Sequence, residues 1–167
     1  ESADKDGVVK NSGAPIKSGD LVLLLNGNHG EISISGYFNS DYITVAAQTG
    51  HAPELISIYL RGGQKWHFQG LTFNHCNSDH RLGLIRIVEH GTQGPASDMK
   101  IIANTFYSIA DASGWSADDW DQLSCDAMRF GGATEMIVTH NSISNINGGI
   151  LAVTNDSQVR CNTIYKF

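Results

Sequence analysis

Apolar and polar residues alternate in short runs along most of the chain. The runs include residues 21–25, Ile32/Ile34, Ile43/Val45, Ile56/Ile58/Leu60, Trp66/Phe68, Ile85/Ile87 and Met128/Phe130. Alternation with period two over about four to six residues, bounded by Gly, Asn, Asp and Ser, indicates β-strands. No 3.6-residue period is sustained, and one short helix is expected within residues 110–123, with Ser116 as its N-cap. The pattern therefore predicts an all-β protein.

Three segments of the chain share one local pattern: an apolar residue, two variable positions, Asn, a small hydroxyl residue and another apolar residue. They are 101–106, 138–143 and 159–164, and a degenerate copy lies at 68–73. Asn104, Asn141 and Asn162 therefore recur at unequal intervals within an unchanged local frame. Fixed spacing with a variable period predicts a solenoid, because neither a sandwich nor a barrel needs Asn at one place in every unit. The three asparagines would stack about 4.8 Å apart and pass hydrogen bonds between rungs.

The beginning of the repeat region resembles the first coils of pectate-lyase-like proteins. The resemblance is carried by Ser-Gly-Asp-Leu-Val-Leu-Leu-Leu-Asn-Gly-Asn-His-Gly-Glu at 18–31, Tyr-Ile-Thr-Val-Ala-Ala at 42–47 and Gly-Leu-Thr-Phe at 70–73. Such coils often read Pro-Gly-Asp-x-Ile-x-Leu-x-x-Gly-x-Tyr; here Ser18 replaces the Pro and His29 stands where Tyr is common. The resemblance implies a right-handed single-stranded parallel β-helix of about six rungs over residues 18–167, preceded by a polar segment, residues 1–17.

Alignment on the asparagines predicts which side chains of one strand per rung point inward. One inward row is Ile58, Ile85, Met128 and Leu151, and the next is Leu60, Ile87, Phe130 and Val153. Since side chains alternate between the faces of a strand, the residues between these rows point outward. They are Tyr59, Arg86, Arg129 and Ala152. Two arginines are thus expected side by side on an exposed face, near the long insertion 107–126.

The resemblance also implies an activity, namely lyase- or epimerase-like action on a uronic-acid polymer, or binding of one. Arg86 and Arg129 are the candidate catalytic residues, because such enzymes hold basic residues on this face and neutralise the uronate there. An arginine acting as a base would need strong help from its site, since its pKa normally exceeds about 12. Candidate substrate-binding residues are Tyr59, Arg61, Trp115 and Trp120. The alternative is a non-catalytic β-helix: an adhesin, a phage spike segment or a carbohydrate-binding module.

An acidic cluster in and after the long insertion is a candidate calcium site. It consists of Asp118, Asp119, Asp121 and Asp126. Ca²⁺ prefers six to eight oxygen ligands, but the spacing is not that of an EF-hand, and a solvated acidic loop is the competing interpretation. The seven histidines, including His75 and His80, lack a convincing metal-ligand spacing, and His140 is expected to be structural.

The net charge and the composition of the chain limit the kinds of partner that it can bind. A net charge of −6 argues against nucleic-acid binding, and no apolar stretch is long enough to span a membrane. Three independent thiols are favoured for Cys76, Cys125 and Cys161 over a Cys76–Cys125 disulfide, which a secreted protein would allow. The resemblance implies an extracellular or periplasmic protein. Neither end of the repeat region carries a recognisable cap, which predicts either a fragment of a longer solenoid or end-to-end self-association.

Overall fold

A computed structural model describes residues 2–76 and 82–165 of the 167-residue chain. Within these ranges the protein is all-β, with sixteen strands, one short helix, and parallel pairing between all of the named strands. The elements are β1 (Leu21–Leu24), β2 (Gly27–Asn28), β3 (Glu31–Ala47), β4 (Pro53–Leu55), β5 (Ser57–Gln69), β6 (Thr72–Phe73), β7 (Ile85–Val88), β8 (Ala96–Ser97), β9 (Lys100–Ile102), β10 (Thr105–Tyr107), α1 (Ala117–Leu123), β11 (Asp126–Thr134), β12 (Ile137–Thr139), β13 (Ser142–Ser144), β14 (Gly148–Asn155), β15 (Gln158–Arg160) and β16 (Thr163–Tyr165).

The strands form three parallel stacks that the chain visits in a fixed order. The first stack contains β1, residues 43–47 of β3, residues 66–69 of β5, β9, β12 and β15. The second is a six-stranded sheet of β2, β4, β6, β10, β13 and β16. The third contains residues 31–38 of β3, residues 57–64 of β5, β7 with β8, β11 and β14.

Long strands join the first and third stacks into one ten-stranded sheet. β3 and β5 each run through both stacks, so their two halves pair with different neighbours. β7 and β8 both lie between β5 and β11, so these four strands close a ring of pairings and the remaining strands lie outside it. Parallel strands need such non-local connections, because each returns only after a crossover.

The interior is a set of apolar columns, each built from one side chain per level. Phe68, Ile101 and Val138 stand in register in the first stack and are fully buried. In the second stack, the rings of Phe73 and Phe106 lie 4.8 Å apart and nearly parallel. Side-chain stacking of this kind follows directly from in-register parallel pairing, since equivalent positions sit one interstrand spacing apart.

The predicted inward rows hold from β5 to β11 and fail at β14. Ile58, Ile85 and Met128 are in register and buried, but the next residue in their row is Ile150, not Leu151. Leu151 pairs with Arg129 and is 41% exposed, while Ala152 pairs with Phe130. A bulge between Gly131 and Ala133 gives β11 one residue more than β14, so counting back from the asparagines does not preserve the register.

The three repeat asparagines form a continuous hydrogen-bonded column. The Oδ1 atom of Asn141 accepts from the backbone N–H of Asn104 at 2.9 Å and from its side-chain amide at 3.1 Å. The Oδ1 atom of Asn162 accepts the equivalent pair from Asn141. Asn104 in turn accepts from the N–H of Leu71, in the degenerate copy of the repeat. The ladder predicted from the sequence spacing is therefore present.

The residue before each ladder asparagine has a left-handed backbone. The φ angles of Ala103, His140 and Cys161 are 55°, 58° and 55°. This conformation is costly for residues other than Gly and persists only where the surroundings enforce it. His140 is exposed and its ring nitrogen lies 2.8 Å from the hydroxyl of Thr139, so it has a local structural partner.

The polar amino-terminal segment folds back onto the third stack instead of projecting into solvent. Ala3 and Phe38 exchange two backbone hydrogen bonds as an antiparallel bridge, and the hydroxyl of buried Ser2 donates to Asn39 at 2.5 Å. The Lys10 ammonium donates to the carbonyl of Ser35 at 2.7 Å. The expectation that this end has no covering element therefore needs correction: an irregular segment, without apolar periodicity, covers part of the first level.

The long insertion contains the predicted helix and one half of a disulfide. Helix α1 begins after Ser116, whose side chain and that of Asp119 form a capping box. Cys76 and Cys125 are bridged, with Cα atoms 5.7 Å apart, and Cys161 is free and exposed. The preference for three independent thiols was wrong, because the fold brings two positions 49 residues apart in sequence, one after β6 and one before β11, within reach of each other.

We expect the middle of the asparagine ladder to contribute more stability than its end. Replacing Asn141, which is 1% exposed, by Ala removes the acceptor of the Asn104 N–H, one of the two acceptors of the Asn104 amide and one donor to the carbonyl of Ile101. A buried unsatisfied group costs about 1–3 kcal/mol, so Asn141→Ala should lower the unfolding free energy by about 2–3 kcal/mol. Asn162→Ala, at the half-buried end, should cost about 1 kcal/mol. Equal losses in urea titrations would contradict this ranking.

We expect the disulfide to stabilise the folded chain. Closing a loop of 49 residues restricts the unfolded state by about 4 kcal/mol on the chain-entropy estimate. Cys76→Ser with Cys125→Ser should therefore lower the denaturation midpoint in urea. Cys161→Ser is the matched control and should leave the midpoint unchanged. The prediction fails if the double variant unfolds at the same urea concentration as the parent chain.

Candidate functional site

An outward column of the third stack carries the two candidate arginines. In register, it reads Ser33, Tyr59, Arg86, Arg129 and Leu151. The residues on either side of Arg86 in β7, Ile85 and Ile87, are fully buried, so alternation directs the Arg86 side chain away from the interior. Pairing of β7 with β11 then places Arg129 directly beside it. The two guanidinium-bearing residues occupy adjacent levels of one sheet face.

Arg86 is held against Tyr59, the preceding residue of the column. Its guanidinium carbon lies 5.2 Å from the centroid of the Tyr59 ring, within the range of a cation–π contact. Its Nε atom is buried and has no hydrogen-bond partner. A buried donor without a partner costs free energy, so an acceptor brought by a ligand would be favoured at this position.

A cavity of about 180 Å³ opens beside this column. It is lined by Glu31, Ser57, Ile58, Tyr59, Leu82, Gly83 and Arg86. It brings a carboxyl, a phenol and a guanidinium together from three successive levels. Glu31 was not among the residues selected from the sequence. The signal that could have found it is its place in β3, two residues before Ser33 and therefore on the same outward face.

Gly83 places the chain close to Arg129. A Cβ atom on Gly83 would lie 3.2 Å from the Cβ of Arg129 and 3.1 Å from the carbonyl oxygen of Ile85, and its φ angle is 129°. Leu84 then joins the levels: its N–H donates to Asp126 at 3.0 Å, and its carbonyl accepts from Ile58 at 2.9 Å. The chain therefore reaches the arginine column by a close backbone approach that a larger residue would obstruct.

The other predicted sugar-binding residues lie apart from this column. Arg61 is exposed in the neighbouring outward column, where it pairs with Val88. Trp115 and Trp120 pack edge-to-face, with ring centroids 4.9 Å apart. Trp120 belongs to α1 and both rings are half-buried, so they contribute to packing within the insertion.

The predicted calcium cluster does not assemble into a metal site. Asp118, Asp119 and Asp121 lie in α1, where Asp119 is engaged with Ser116, while Asp126 is buried at the start of β11. The Ser116 hydrogen bonds lower the pKa of Asp119. Across residues 2–76 and 82–165, no three His, Cys, Asp or Glu side chains form a group that could hold a metal ion. His75 lies 3.3 Å from Glu54, and His80 falls outside the described residues.

A second polar cluster lies on the outward face of the first stack. The Tyr42 hydroxyl donates to Asp98, and the Lys100 ammonium lies 3.7 Å from the centroid of the Tyr42 ring. Burial, followed by the hydrogen bond to Asp98, raises the pKa of Tyr42. The His67 ring meets Tyr42 edge-on, and its Nε2 atom is buried without a partner. Burial, and then the nearby Lys100 charge, lowers the pKa of His67.

Comparison of the chain with protein-family models, characterised proteins and solved structures finds no match. In the part of the chain that is described, no helix has the length and apolar character of a membrane span.

We expect His67 to make stability depend on pH. Because its folded-state pKa lies below the unfolded value of 6.5, the unfolded chain binds the proton more readily. The contribution of His67 is thus fully present above pH 6.5 and is lost as the pH falls from there towards the folded-state pKa. His67→Gln should flatten this part of the profile of unfolding free energy against pH. His140→Gln, at an exposed position, is the control; an equal flattening there would contradict the assignment.

Proposed function

We propose that this chain is a right-handed parallel β-helix of about six rungs that binds a uronic-acid polymer along the outward face of the third stack. The β-helix architecture is supported by the fixed order in which the chain passes through the three parallel stacks. The chain contributes six strands to the first stack and six to the second. The asparagine column adds support, because one residue per turn recurs at the same corner. A solenoid of this kind offers a long, rigid face on which a polymer can lie.

The observation that carries the binding proposal is the in-register column of Tyr59, Arg86 and Arg129. Guanidinium groups form paired, charge-assisted hydrogen bonds with carboxylates, and a uronate polymer presents one carboxylate per sugar. Arginines on successive levels are one interstrand spacing apart, about 4.8 Å, so both can engage the same polymer. The phenol of Tyr59 and its ring face complete a surface suited to a polar sugar.

The cavity beside the column contains the groups that lyase or epimerase chemistry would require. Arg86 would neutralise the uronate carboxylate, which stabilises the charge that develops when the C5 proton leaves. Glu31 or Tyr59, on the same cavity, would accept that proton. In β-elimination the C4–O bond then breaks, the departing oxygen takes up a proton from Tyr59, Glu31 or water, and an unsaturated sugar forms. In epimerisation one of these groups or water instead returns a proton to the opposite face of C5. Glu31 is thereby added to Arg86 and Arg129 as a candidate catalytic residue.

A non-catalytic β-helix is the second candidate, whether a carbohydrate-binding module, an adhesin or a phage spike segment. Small hydroxyl residues on the first strand of the same face, Ser33 and Ser35, give a flat polar surface that requires no chemistry. Extracellular or periplasmic location is proposed for either candidate, because disulfides such as Cys76–Cys125 persist mainly in oxidising compartments.

We expect charge removal at the two arginines to weaken binding of alginate or pectate without unfolding the protein. Hydrogen bonds to charged groups contribute about 1.5–3 kcal/mol, so Arg86→Gln or Arg129→Gln should reduce affinity at least about tenfold, and the double variant further. Arg160→Gln is the matched control, since Arg160 is exposed in the first stack and should not affect binding. Calorimetric titration measures the affinities, and thermal melting confirms folding.

Unchanged affinity in the folded double variant would show that the arginines do not form the binding surface. Catalysis is tested separately by incubating the protein with alginate, pectate and chondroitin. A lyase releases unsaturated product that absorbs ultraviolet light, whereas an epimerase incorporates solvent deuterium at C5. Binding without either signal favours the non-catalytic module, and Glu31→Gln identifies whether any activity depends on the cavity.

A further inference from the structure

The outward face of the second stack repeats one kind of side chain over four levels. Phe73, Phe106 and Ile143 are in register and fully buried, so the residues directly before them in β6, β10 and β13 point outward. In register, this outward column reads Glu54, Thr72, Thr105, Ser142 and Thr163. Four consecutive levels therefore present a hydroxyl group, at intervals of one interstrand spacing, about 4.8 Å.

The fold itself does not use these hydroxyls. Within residues 2–76 and 82–165, the side chains of Thr72, Thr105, Ser142 and Thr163 make no hydrogen bond to another protein group. The buried polar atoms that lack a partner lie elsewhere in the described chain, so the oxygens of this column are open to solvent. A hydroxyl can both donate and accept, which gives the face a row of groups available to a ligand.

The outward columns of the other stacks show that stacking does not require hydroxyls. One column of the first stack reads Thr44, His67, Lys100, Ile137 and Gln158. The arginine column of the third stack begins at Ser33 and ends at Leu151. Neither column keeps one kind of side chain over more than two levels. The run of four hydroxyls is therefore a property of this face and not of the fold.

A second outward column of the same face carries two tyrosines. Tyr107, Ser144 and Tyr165 lie in register at the ends of β10, β13 and β16, on the same side of their strands as the hydroxyls. The two tyrosines are two levels apart, about 9.6 Å, with the small Ser144 between them. The Tyr107 hydroxyl accepts from the side-chain amide of Asn74 at 3.1 Å, which holds the phenol in place.

The distribution of charge selects among possible ligands. The strands of this sheet, β2, β4, β6, β10, β13 and β16, contain no Lys or Arg. Glu54 contributes a carboxyl at one end of the hydroxyl column, 3.3 Å from His75. An acidic polymer would meet no lysine or arginine on these strands, and the net charge of −6 would repel it. The face is therefore suited to a neutral ligand.

A neutral sugar chain has the chemistry that matches both columns. A pyranose ring carries hydroxyls around its rim and C–H groups on its faces, so it can hydrogen-bond to a hydroxyl and stack on a phenol ring. An extended 1,4-linked chain that lies across the strands would meet a hydroxyl at every level and a tyrosine at every second level. A single sugar would reach only one or two levels. Weak contacts accumulate along such a chain because the protein face is already ordered.

We propose that the outward face of the second stack binds an extended chain of a neutral 1,4-linked polysaccharide, which lies along the hydroxyl column and stacks on Tyr107 and Tyr165. This face is separate from the arginine column of the third stack. The proposal does not rest on the function assigned to that column.

The test measures binding to cellulose, chitin and mannan, by depletion from solution with the insoluble polymers and by calorimetric titration with their hexasaccharides. The parent chain should bind at least one of them. Thr72→Val combined with Thr105→Val removes two hydroxyls while keeping the branched shape, and should weaken that binding several-fold. Tyr107→Ala and Tyr165→Ala should each weaken it at least about fivefold. Thr49→Val, at an exposed position between β3 and β4, is the matched control and should bind like the parent.

The two arginines separate this face from the one proposed for uronic-acid polymers. Arg86→Gln with Arg129→Gln should leave binding of the neutral polymer unchanged, and Tyr165→Ala should leave binding of alginate unchanged. A failure of alginate binding would therefore count against the arginine column alone. Thermal melting shows which variants are folded. If Tyr107→Ala is not, Tyr165→Ala decides, since Tyr165 is 46% exposed.

Three results would overturn the proposal. The first is a parent chain that binds none of the three neutral polymers. The second is a folded tyrosine or valine variant that binds with the affinity of the parent. The third is loss of neutral-polymer binding in the arginine variant, which would place the ligand on the third stack instead.

Discussion

In-register parallel stacking is the constraint on which the rest of the structure depends. Each level must return its side chains to the positions of the level before, so the chain has to turn at the same corner every time. The asparagine column meets this requirement at one corner: Asn141 and Asn162 each accept two hydrogen bonds from the level before and donate to a buried carbonyl. Buried polar groups at the turn are thereby satisfied, and the left-handed residue before each asparagine is held in place.

The same stacking builds the candidate site. In-register pairing places equivalent side chains of successive levels next to one another, even where both carry the same charge. Arg86 and Arg129 repel each other more strongly the less water surrounds them. Tyr59 offsets part of this cost by presenting its ring to Arg86. Under the proposed function, a polyanion would offset the remainder, which is the physical reason for proposing an acidic polymer over a neutral one.

Loops vary because they are outside the stacking constraint. The connection between β10 and β11 holds helix α1 and the paired tryptophans, yet β11 re-enters in register with β7. The Cys76–Cys125 bridge fastens the residues that follow β6 to the residue that precedes β11. Rigid levels with variable connections allow binding groups to change without disturbing the core.

The sequence by itself determined the features that repeat over short distances: the strands, the asparagine column, the helix cap at Ser116 and the outward direction of Tyr59, Arg86 and Arg129. These follow from alternation and spacing, which are local properties of the chain. The tertiary structure alone decided the Cys76–Cys125 bridge, the place of Glu31 beside Arg86, the pairing of Leu151 with Arg129 and the covering role of Ser2 and Ala3. Each of these depends on how many residues a bulge or a connection contains between levels. Packing across the stacks sets that number, so no local pattern of the sequence reveals it.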